Sequence, residues 1–393
     1  MNSEEIFTDI DYFQKSKAGN LICGDSFMCQ QLQEEGRKIC VLSDGLGSGI
    51  KASILSSLTA TMAINYMSRN ESILYTAEAI IHALPQDSDK QISYSTFCIL
   101  DIDCFGYAKI IEYETPIFYL IRQGELIQIP RHPIAIERND LAGTFLYISE
   151  IRLEKEDRII CFSDGVTQSG MGHPDMPEGW KHRIGAYVQE LLRQHPFISA
   201  SELSKKIVIQ AEKNDGYSLV DDASCCVAYL RTPRQLLVCT GPPFDKNNDK
   251  YLAGRVKDFP GKKLICGGTT AQILARELHL TLYKSELSRT ENLPPVSSME
   301  GIDLVTEGIL TLSKVERILS SISPDSSFSD PANKIIRLLR ESDRIYFLVG
   351  TCVNVAHQDP TLPVELEIRR NIVKRIKFLL EKKFFKTVEI SYL

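Results

Sequence analysis

Four short aspartate motifs, each at the edge of an apolar run, constrain this sequence more than any other feature. Apolar runs bounded by Gly, Ser and Asp are typical of buried strands that end in a turn. One aspartate at a strand end usually closes a turn, but four of them suggest strand ends that meet at one point. The motifs are Gly24-Asp25, Ser43-Asp44-Gly45-Leu46-Gly47-Ser48-Gly49, Ser163-Asp164-Gly165 and Asp221-Asp222-Ala223-Ser224.

Carboxylates that meet at one point indicate cation chemistry. They repel one another unless they are protonated or neutralised by cations, and an all-oxygen ligand set suits Mg²⁺ or Mn²⁺. The glycine after Asp44 would let a backbone carbonyl approach an ion closely. Two such ions, about 3.5–4 Å apart, activate a water for attack on a phosphomonoester without a protein nucleophile. Accordingly, the chain has neither a G-x-S-x-G elbow nor a Walker-type phosphate loop.

In this order and spacing, the motifs resemble the phosphatase domain of stage II sporulation protein E. That domain is a branch of the PPM (type 2C) metal-dependent Ser/Thr phosphatases. The resemblance covers residues ~1–230 and includes the segment Glu114–Leu120 with the turn at Gly124 that follows it. It implies a four-layer α-β-β-α sandwich, in which two antiparallel sheets pack face to face with helices outside and metals at one end.

The resemblance also implies a role for each motif residue. Asp44 would bridge two metal ions, and the carbonyl of Gly45 would bind one of them. Asp164 and Asp221 would complete the ligand shell of the other ion. Asp25 would bind a metal directly or lie just behind the ligands, and Asp222 would support it. The implied catalytic residues are Asp25, Asp44, Asp164 and Asp221, and the implied metal-site residues are Asp25, Asp44, Gly45, Asp164, Asp221 and Asp222.

From this resemblance we expect a metal-dependent protein serine/threonine phosphatase with two Mn²⁺ or Mg²⁺ ions. The implied substrate is a small regulatory phosphoprotein in signal transduction, such as an anti-sigma-factor antagonist, and homodimers are common in this branch. The alternative is a catalytically silent protein of the same fold that binds a partner or acts as a sensor. The complete aspartate set argues against that alternative, because a silent scaffold has no need of a repulsive carboxylate cluster.

Several local patterns in the first 230 residues predict particular elements. Gln123-Gly124 between two apolar runs predicts a hairpin, because glycine adopts positive φ readily. A long helix should follow Gly49, with one apolar stripe along Ile50, Ile54, Leu58 and Met62. A further helix is predicted over Ser201 to Lys213, with Ser201 as its N-cap.

The rhythm of the sequence changes at Arg231-Thr232-Pro233-Arg234, which predicts a domain boundary there. We expect a phosphatase domain over 1–231 and a smaller α/β domain with a parallel sheet over 232–393. Three of its predicted strands run into glycine-, threonine- and glutamate-containing turns, where open α/β sheets commonly bind ligands. The predicted ligand loop is Gly267-Gly268-Thr269-Thr270, with a plain strand–helix turn as the alternative, and the domain would be regulatory or ligand-binding.

Composition narrows the classes of function. A net charge of −6 argues against a nucleic-acid partner, and no apolar run approaches the ~18–20 residues of a membrane span. The acidic N-terminus does not resemble a signal peptide, so we expect a soluble, cytoplasmic protein. The eleven cysteines are scattered without a C-x-x-C pair, which predicts buried, reduced thiols and not a disulfide framework.

Overall fold

The computed structural model describes residues 6–32, 35–83, 95–136, 145–284, 297–320, 330–352 and 362–393. Its contacts divide the chain into two compact units, Met1–Thr232 and Pro233–Leu393. The division falls beside Pro233, where the pattern of strands and helices changes. None of the helices in the described ranges combines the length and the apolar character that crossing a bilayer requires.

The first unit contains two antiparallel sheets and helices beside them. Its strands are β1 (Phe7–Lys15), β2 (Asp25–Leu32), β3 (Arg37–Gly45), β4 (Ser95–Ile102), β5 (Tyr107–Tyr113), β6 (Tyr119–Arg122), β7 (Glu125–Ile127), β8 (His132–Ala135), β9 (Phe145–Arg152), β10 (Arg158–Phe162) and β11 (Ala223–Arg231). Its helices are α1 (Ile50–Met67), α2 (Ile73–Ala83), α3 (Asp164–Thr167), α4 (Ile184–Gln194) and α5 (Ala200–Asn214). The sheet orders are β1-β11-β10-β6-β7 and β2-β3-β4-β5-β9-β8.

Alternation along the strands produces four layers. On β3, Ile39 and Val41 pack under α1 and α2, whereas Cys40 and Leu42 point the other way, into an apolar layer between the two sheets. On the outer face of the five-stranded sheet, apolar residues of β10 and β11 pack against α4 and α5. The predicted α-β-β-α sandwich is therefore confirmed, with one apolar layer between its sheets and one under the helices on each outer face.

Helix α1 begins where the sequence predicts, but three residues of its predicted apolar stripe are exposed. Ile50, Ile54 and Leu58 are 65%, 61% and 44% exposed. The helix instead lies so close to β3 that a Cβ on Gly45 would stand 2.1 Å from the carbonyl oxygen of Ala52. Only a face of small side chains permits this approach, and it includes Ala52, Ser56, Thr59, Ala60 and Ala63.

Two further local predictions have different outcomes. The hairpin between β6 and β7 is confirmed, and both turn residues have positive φ, 51° at Gln123 and 82° at Gly124. The predicted N-cap Ser201 is wrong, because it lies inside the first turn of α5. The cap is Ser199, whose hydroxyl accepts a hydrogen bond from the backbone N–H of Glu202 at 3.2 Å.

The second unit is a three-layer α/β structure. Its strands are β12 (Gln235–Thr240), β13 (Lys262–Cys266), β14 (Tyr283–Lys284), β15 (Ser297–Met299), β16 (Ile302–Thr306), β17 (Arg344–Val349) and β18 (Thr387–Tyr392). Its α-helices are α6 (Asp249–Asp258), α7 (Gly268–Leu278), α8 (Ile309–Ser320), α9 (Pro331–Glu341) and α10 (Leu362–Phe384). The sheet order is β14-β15-β16-β13-β12-β17-β18. The five neighbouring strands β16, β13, β12, β17 and β18 are parallel, as predicted.

Strand order in this sheet reverses at β12, between β13 and β17. Apolar residues of α6 and α7 cover one face of the sheet, and those of α8, α9 and α10 cover the other. In open α/β sheets of this kind, the carboxyl ends of the strands at the reversal form a crevice.

Candidate metal centre

The ladder between β2 and β3 brings the first two predicted aspartates side by side. Asp25 and Asp44 are direct partners in this antiparallel pair, so their side chains share one face. Asp25 is 2% exposed, and neither of its carboxylate oxygens has a hydrogen-bond partner among the described residues. A buried, ionised carboxylate without partners is unfavourable, so Asp25 is either protonated or compensated by a cation.

The other two motifs are locked together at the ends of β10 and β11. The backbone N–H of Ser163 donates to the carbonyl oxygen of Ser224 at 2.9 Å, and the Ser224 N–H donates to Ser163 Oγ at 2.8 Å. Asp164 opens α3 directly after this contact. A Cβ on Gly165 would stand 2.1 Å from the backbone oxygen of Asp222, so the two motifs touch backbone to backbone.

Gly24 joins the two sheets at this end of the sandwich. A Cβ at this position would stand 2.8 Å from Asp222 Oδ2 and 2.9 Å from the Cβ of Ala52, so only glycine fits. The hydroxyl of Ser56 on α1 donates to the Gly24 carbonyl at 2.6 Å. The other Asp222 oxygen, Oδ1, accepts the backbone N–H of Lys17 at 2.9 Å. Asp222 therefore supports the segment that leads into Asp25.

The carboxylates of both sheets act on one another electrostatically. Burial, together with the nearby carboxylates of Asp25, Asp164 and Asp221, raises the pKa of Asp44 to about 10. Burial likewise raises the pKa of Asp25 to about 7 and raises the pKa of Asp221. Four carboxylates, two on strands β2 and β3 and two beside the ends of β10 and β11, thus form one mutually repelling cluster.

The donor set fits hard divalent cations, although the side chains do not already stand as ligands. Within the described ranges, no three His, Cys, Asp or Glu side chains are arranged closely enough to hold a metal ion. Both oxygens of Asp25 and Oδ2 of Asp222 are nevertheless buried acceptors without a hydrogen-bond partner in the described structure. Orphaned carboxylate oxygens in a repelling cluster are the chemistry that Mg²⁺ or Mn²⁺ neutralises.

All six predicted site residues therefore lie at the same end of the sandwich, and their roles as ligands stay a prediction. Sequence reasoning missed Gln168, whose amide donates to Asp164 Oδ2 at 3.1 Å. It also missed Asp215, which accepts the backbone N–H of Gly170 at 2.6 Å and that of Val220 at 3.1 Å. The Asp-Gly pair at 215–216 is a turn signal that could have indicated this contact.

In the second unit, the predicted ligand loop Gly267–Thr270 lies mostly within a helix, because α7 begins at Gly268. The hydroxyl of Thr270, and that of Thr240 at the end of β12, are buried without a hydrogen-bond partner in the described ranges. The carboxylate oxygens of Glu307 lie 3.7 and 3.8 Å from the place that a Cβ on Gly268 would take. Turns from three strands thus converge at this edge of the sheet.

Comparison with known proteins places this fold in a family. The family described as stage II sporulation protein E (SpoIIE) matches residues 34–231, just over half of the chain. A search of curated proteins finds no match.

Three solved structures illustrate the similarity. The first is the PP2C phosphatase domain of SpoIIE from Bacillus subtilis with a fragment of its regulatory domain, which is 18% identical with a TM-score of 0.49. The match covers 58% of this chain and 65% of that one, so this chain spans less than two thirds of its length. The RsbU and RsbW domains of a Mycobacterium tuberculosis protein are 17% identical, with 64% and 67% covered and a TM-score of 0.48. RsbX in complex with magnesium is 22% identical, with 58% and 98% covered and a TM-score of 0.38.

Proposed function

The chain belongs to the stage II sporulation protein E family, and from that premise we propose that its first unit is a metal-dependent protein serine/threonine phosphatase. The observation that carries the proposal is the carboxylate cluster at one end of two packed sheets. Burial and three neighbouring carboxylates raise the pKa of Asp44, and such a cluster is unfavourable unless its members are protonated or neutralised by cations. The cluster consists of Asp25, Asp44, Asp164 and Asp221.

The proposed metal ligands follow the positions of these residues. Asp44 would bind two divalent ions, with the Gly45 carbonyl on one ion and Asp164 and Asp221 on the other. Two such ions, when bound, supply a nucleophilic water at neutral pH and neutralise charge on the phosphoryl oxygens. Pairing with β2 holds Asp44 opposite Asp25, so the chain fixes the bridging carboxylate through its backbone.

Neighbouring side chains would orient the remaining ligands. The Ser163–Ser224 contacts fix the end of β10 against the start of β11, and thereby Asp164 against Asp221. The Gln168 amide holds one oxygen of Asp164, which leaves the other oxygen for an ion. Outer contacts of this kind set the orientation of metal ligands in proteins.

Apolar residues beside the aspartates favour a protein as the substrate. Leu21, Leu46 and Val220 lie within four residues of the clustered aspartates and are 102%, 38% and 69% exposed. Exposed apolar side chains around a polar centre are typical of surfaces that bind other proteins. The family resemblance extends this proposal to a small regulatory phosphoprotein, such as an anti-sigma-factor antagonist, as the substrate.

Hydrolysis of p-nitrophenyl phosphate by the full chain tests the proposed activity. We expect turnover with Mn²⁺, none with EDTA, and a loss in Asp44→Asn larger than the ~10–100-fold that an outer-shell substitution causes. The matched control is Asp258→Asn, an exposed aspartate of the second unit, which should keep full activity. Absence of turnover in a folded protein that binds Mn²⁺ would instead support the catalytically silent alternative.

We also propose that the second unit binds a small ligand at the carboxyl edge of its parallel sheet. The reversal of strand order at β12 and the unpartnered hydroxyls of Thr240 and Thr270 support this position. Thermal shifts of the full chain with inorganic phosphate, AMP and ATP would test it. A shift that Gly268→Ala removes and Gly254→Ala keeps would support the site, because a Cβ on Gly254 meets open space. No shift with any of the three probes would count against it.

A further inference from the structure

Five of the cysteines lie in one layer, between the two sheets of the first unit. Cys40, Cys98, Cys161 and Cys226 belong to the buried inter-sheet layer, and Cys29 packs at its edge. All are free thiols. Two pairs approach closely, with Sγ–Sγ distances of 2.6 Å between Cys29 and Cys40 and 3.6 Å between Cys98 and Cys161.

The Cys29–Cys40 pair has the backbone geometry of a cross-strand disulfide. The two residues are direct partners in the β2–β3 ladder. Partners in antiparallel strands have Cα atoms about 4.5–5.5 Å apart, within the ~4.4–6.8 Å that a disulfide requires. Both side chains point to the same face, so a bond between the sulfurs requires no movement of the backbone.

Only one member of this pair is accessible to a reagent. β2 is an edge strand, and Cys29 is half-buried, whereas Cys40 is 1% exposed. Burial raises the pKa of Cys40, and the adjacent Cys29 thiol adds to that increase. A reagent in solution therefore meets Cys29 first, and Cys40 reacts only with what is attached to Cys29.

We propose that Cys29 and Cys40 form a reversible disulfide site that reacts with a low-molecular-weight disulfide such as oxidised glutathione. The Cys29 thiolate attacks one glutathione sulfur, forms a mixed disulfide and releases one glutathione thiolate. The Cys40 thiolate then attacks Cys29 Sγ, forms the Cys29–Cys40 bond and releases the second glutathione thiolate. The two protons lost by the protein thiols end on the two glutathiones, so glutathione disulfide is reduced as the pair is oxidised.

This bond would act on the same ladder that carries the carboxylate cluster. Asp25, Phe27 and Cys29 lie on one face of β2. Their partners on β3, which are Asp44, Leu42 and Cys40, lie on the same face of the sheet. The bond would tie an edge strand to its neighbour, four residues from the Asp25–Asp44 pair. The proposal does not rest on the phosphatase activity, because the chemistry needs only the two thiols.

Peptide mapping of the intact chain tests the proposal. The full chain is treated with oxidised glutathione, its remaining thiols are blocked, and the digest is analysed by mass spectrometry. We expect a peptide linked through Cys29 and Cys40 that dithiothreitol removes, and a melting temperature higher by ~4 °C or more in the oxidised protein. Because Cys40 is a weak acid, Cys29 modified with glutathione should appear before the linked peptide.

Three cysteine controls keep the test specific. Cys40→Ser should stop at the glutathione adduct on Cys29, whereas Cys29→Ser should leave Cys40 unmodified. Cys104→Ser, which removes an exposed thiol, should still form the bond. The Cys98–Cys161 pair is fully buried between the sheets and should stay reduced in the folded chain. A wild-type protein in which Cys104 is modified and no Cys29–Cys40 peptide forms would overturn the proposal.

Discussion

The strand ends of the first unit carry buried and partly buried carboxylates that act on one another electrostatically, whereas those of the second unit carry glycines, threonines and the carboxylate of Glu307. In the first unit, a Cβ on Gly165 would stand 2.1 Å from a neighbouring backbone oxygen. In the second unit, a Cβ on Gly268 would meet nothing closer than 3.7 Å. Close packing around unfavourable charge indicates a constrained functional centre. In the second unit the room at Gly268 is confined to the start of α7, because a Cβ on Gly350, at the end of β17, would stand 2.1 Å from the backbone oxygen of Pro242.

The largest effect should come from Gly165→Ala in the first unit. The added Cβ would strike the backbone of Asp222, so the contact between the two motifs must open. We expect a loss of about 3 kcal/mol or more in the free energy of unfolding, measured with urea. Gly254→Ala, at an open helical position, is the matched control and should change stability by less than about 1 kcal/mol. An equally small change for Gly165→Ala would mean that the motifs are not locked together.

Added Mn²⁺ should stabilise the first unit next most strongly. A ligand at one hundred times its dissociation constant adds about 2.7 kcal/mol, which raises the melting temperature by roughly 5–10 °C. Differential scanning calorimetry with Mn²⁺ and then EDTA measures this gain and its reversal. Asp44→Asn should lose the increase and Asp258→Asn should keep it. An identical increase in both variants would place the binding outside the carboxylate cluster.

Ser163→Ala should produce a smaller loss. It removes the hydroxyl that accepts the buried Ser224 N–H, and an orphaned buried donor destabilises by about 1–3 kcal/mol. Chemical denaturation gives the stability, and phosphatase turnover should fall with it because Asp164 follows this residue. Ser204→Ala is the control, since that hydroxyl donates only to a carbonyl of its own helix. Equal urea midpoints for the two variants would mean that the Ser163–Ser224 hydrogen bond does not stabilise the first unit.

Gly268→Ala in the second unit should have the smallest effect. The position is helical and has room for a methyl group, so we expect a change within about 1 kcal/mol in either direction. Urea unfolding of the full chain, followed through the transition of the second unit, measures it. A loss above about 2 kcal/mol in the free energy of unfolding would show that the start of α7 is packed as closely as the carboxylate cluster.

Local signals predicted strand ends and the hairpin of the first unit, whereas its four-layer order was implied by the family resemblance. Asp44, Asp164 and the Gln123-Gly124 turn each lie next to an apolar run. The strand ends of a sandwich lie close together because its two sheets pack face to face. Side chains alternate between faces along a strand, so the two-sided burial of β3 follows from its unbroken apolar run. The domain boundary was placed beside Thr232, and the contacts of the chain divide between Thr232 and Pro233.

Features that depend on tertiary contact were not predictable. The stripe of Ile50, Ile54 and Leu58 resembles a core face, but the distance between α1 and β3 requires small residues there instead. The pairing of Cys29 with Cys40 depends on the register of β2 on β3, which spacing alone does not specify. Similarly, the contact of Asp222 with the segment before Asp25 joins two sheets.

The central claim is that carboxylates from both sheets of the first unit hold two divalent ions. The most direct measurement is the number of Mn²⁺ ions bound by the full chain at neutral pH, from equilibrium dialysis followed by metal analysis. We predict two ions per chain for the wild type and for Asp258→Asn, and fewer in Asp44→Asn because it removes the bridging carboxylate. A folded wild-type chain that binds no Mn²⁺, or an Asp44→Asn variant that binds as many ions as the wild type, would contradict the claim.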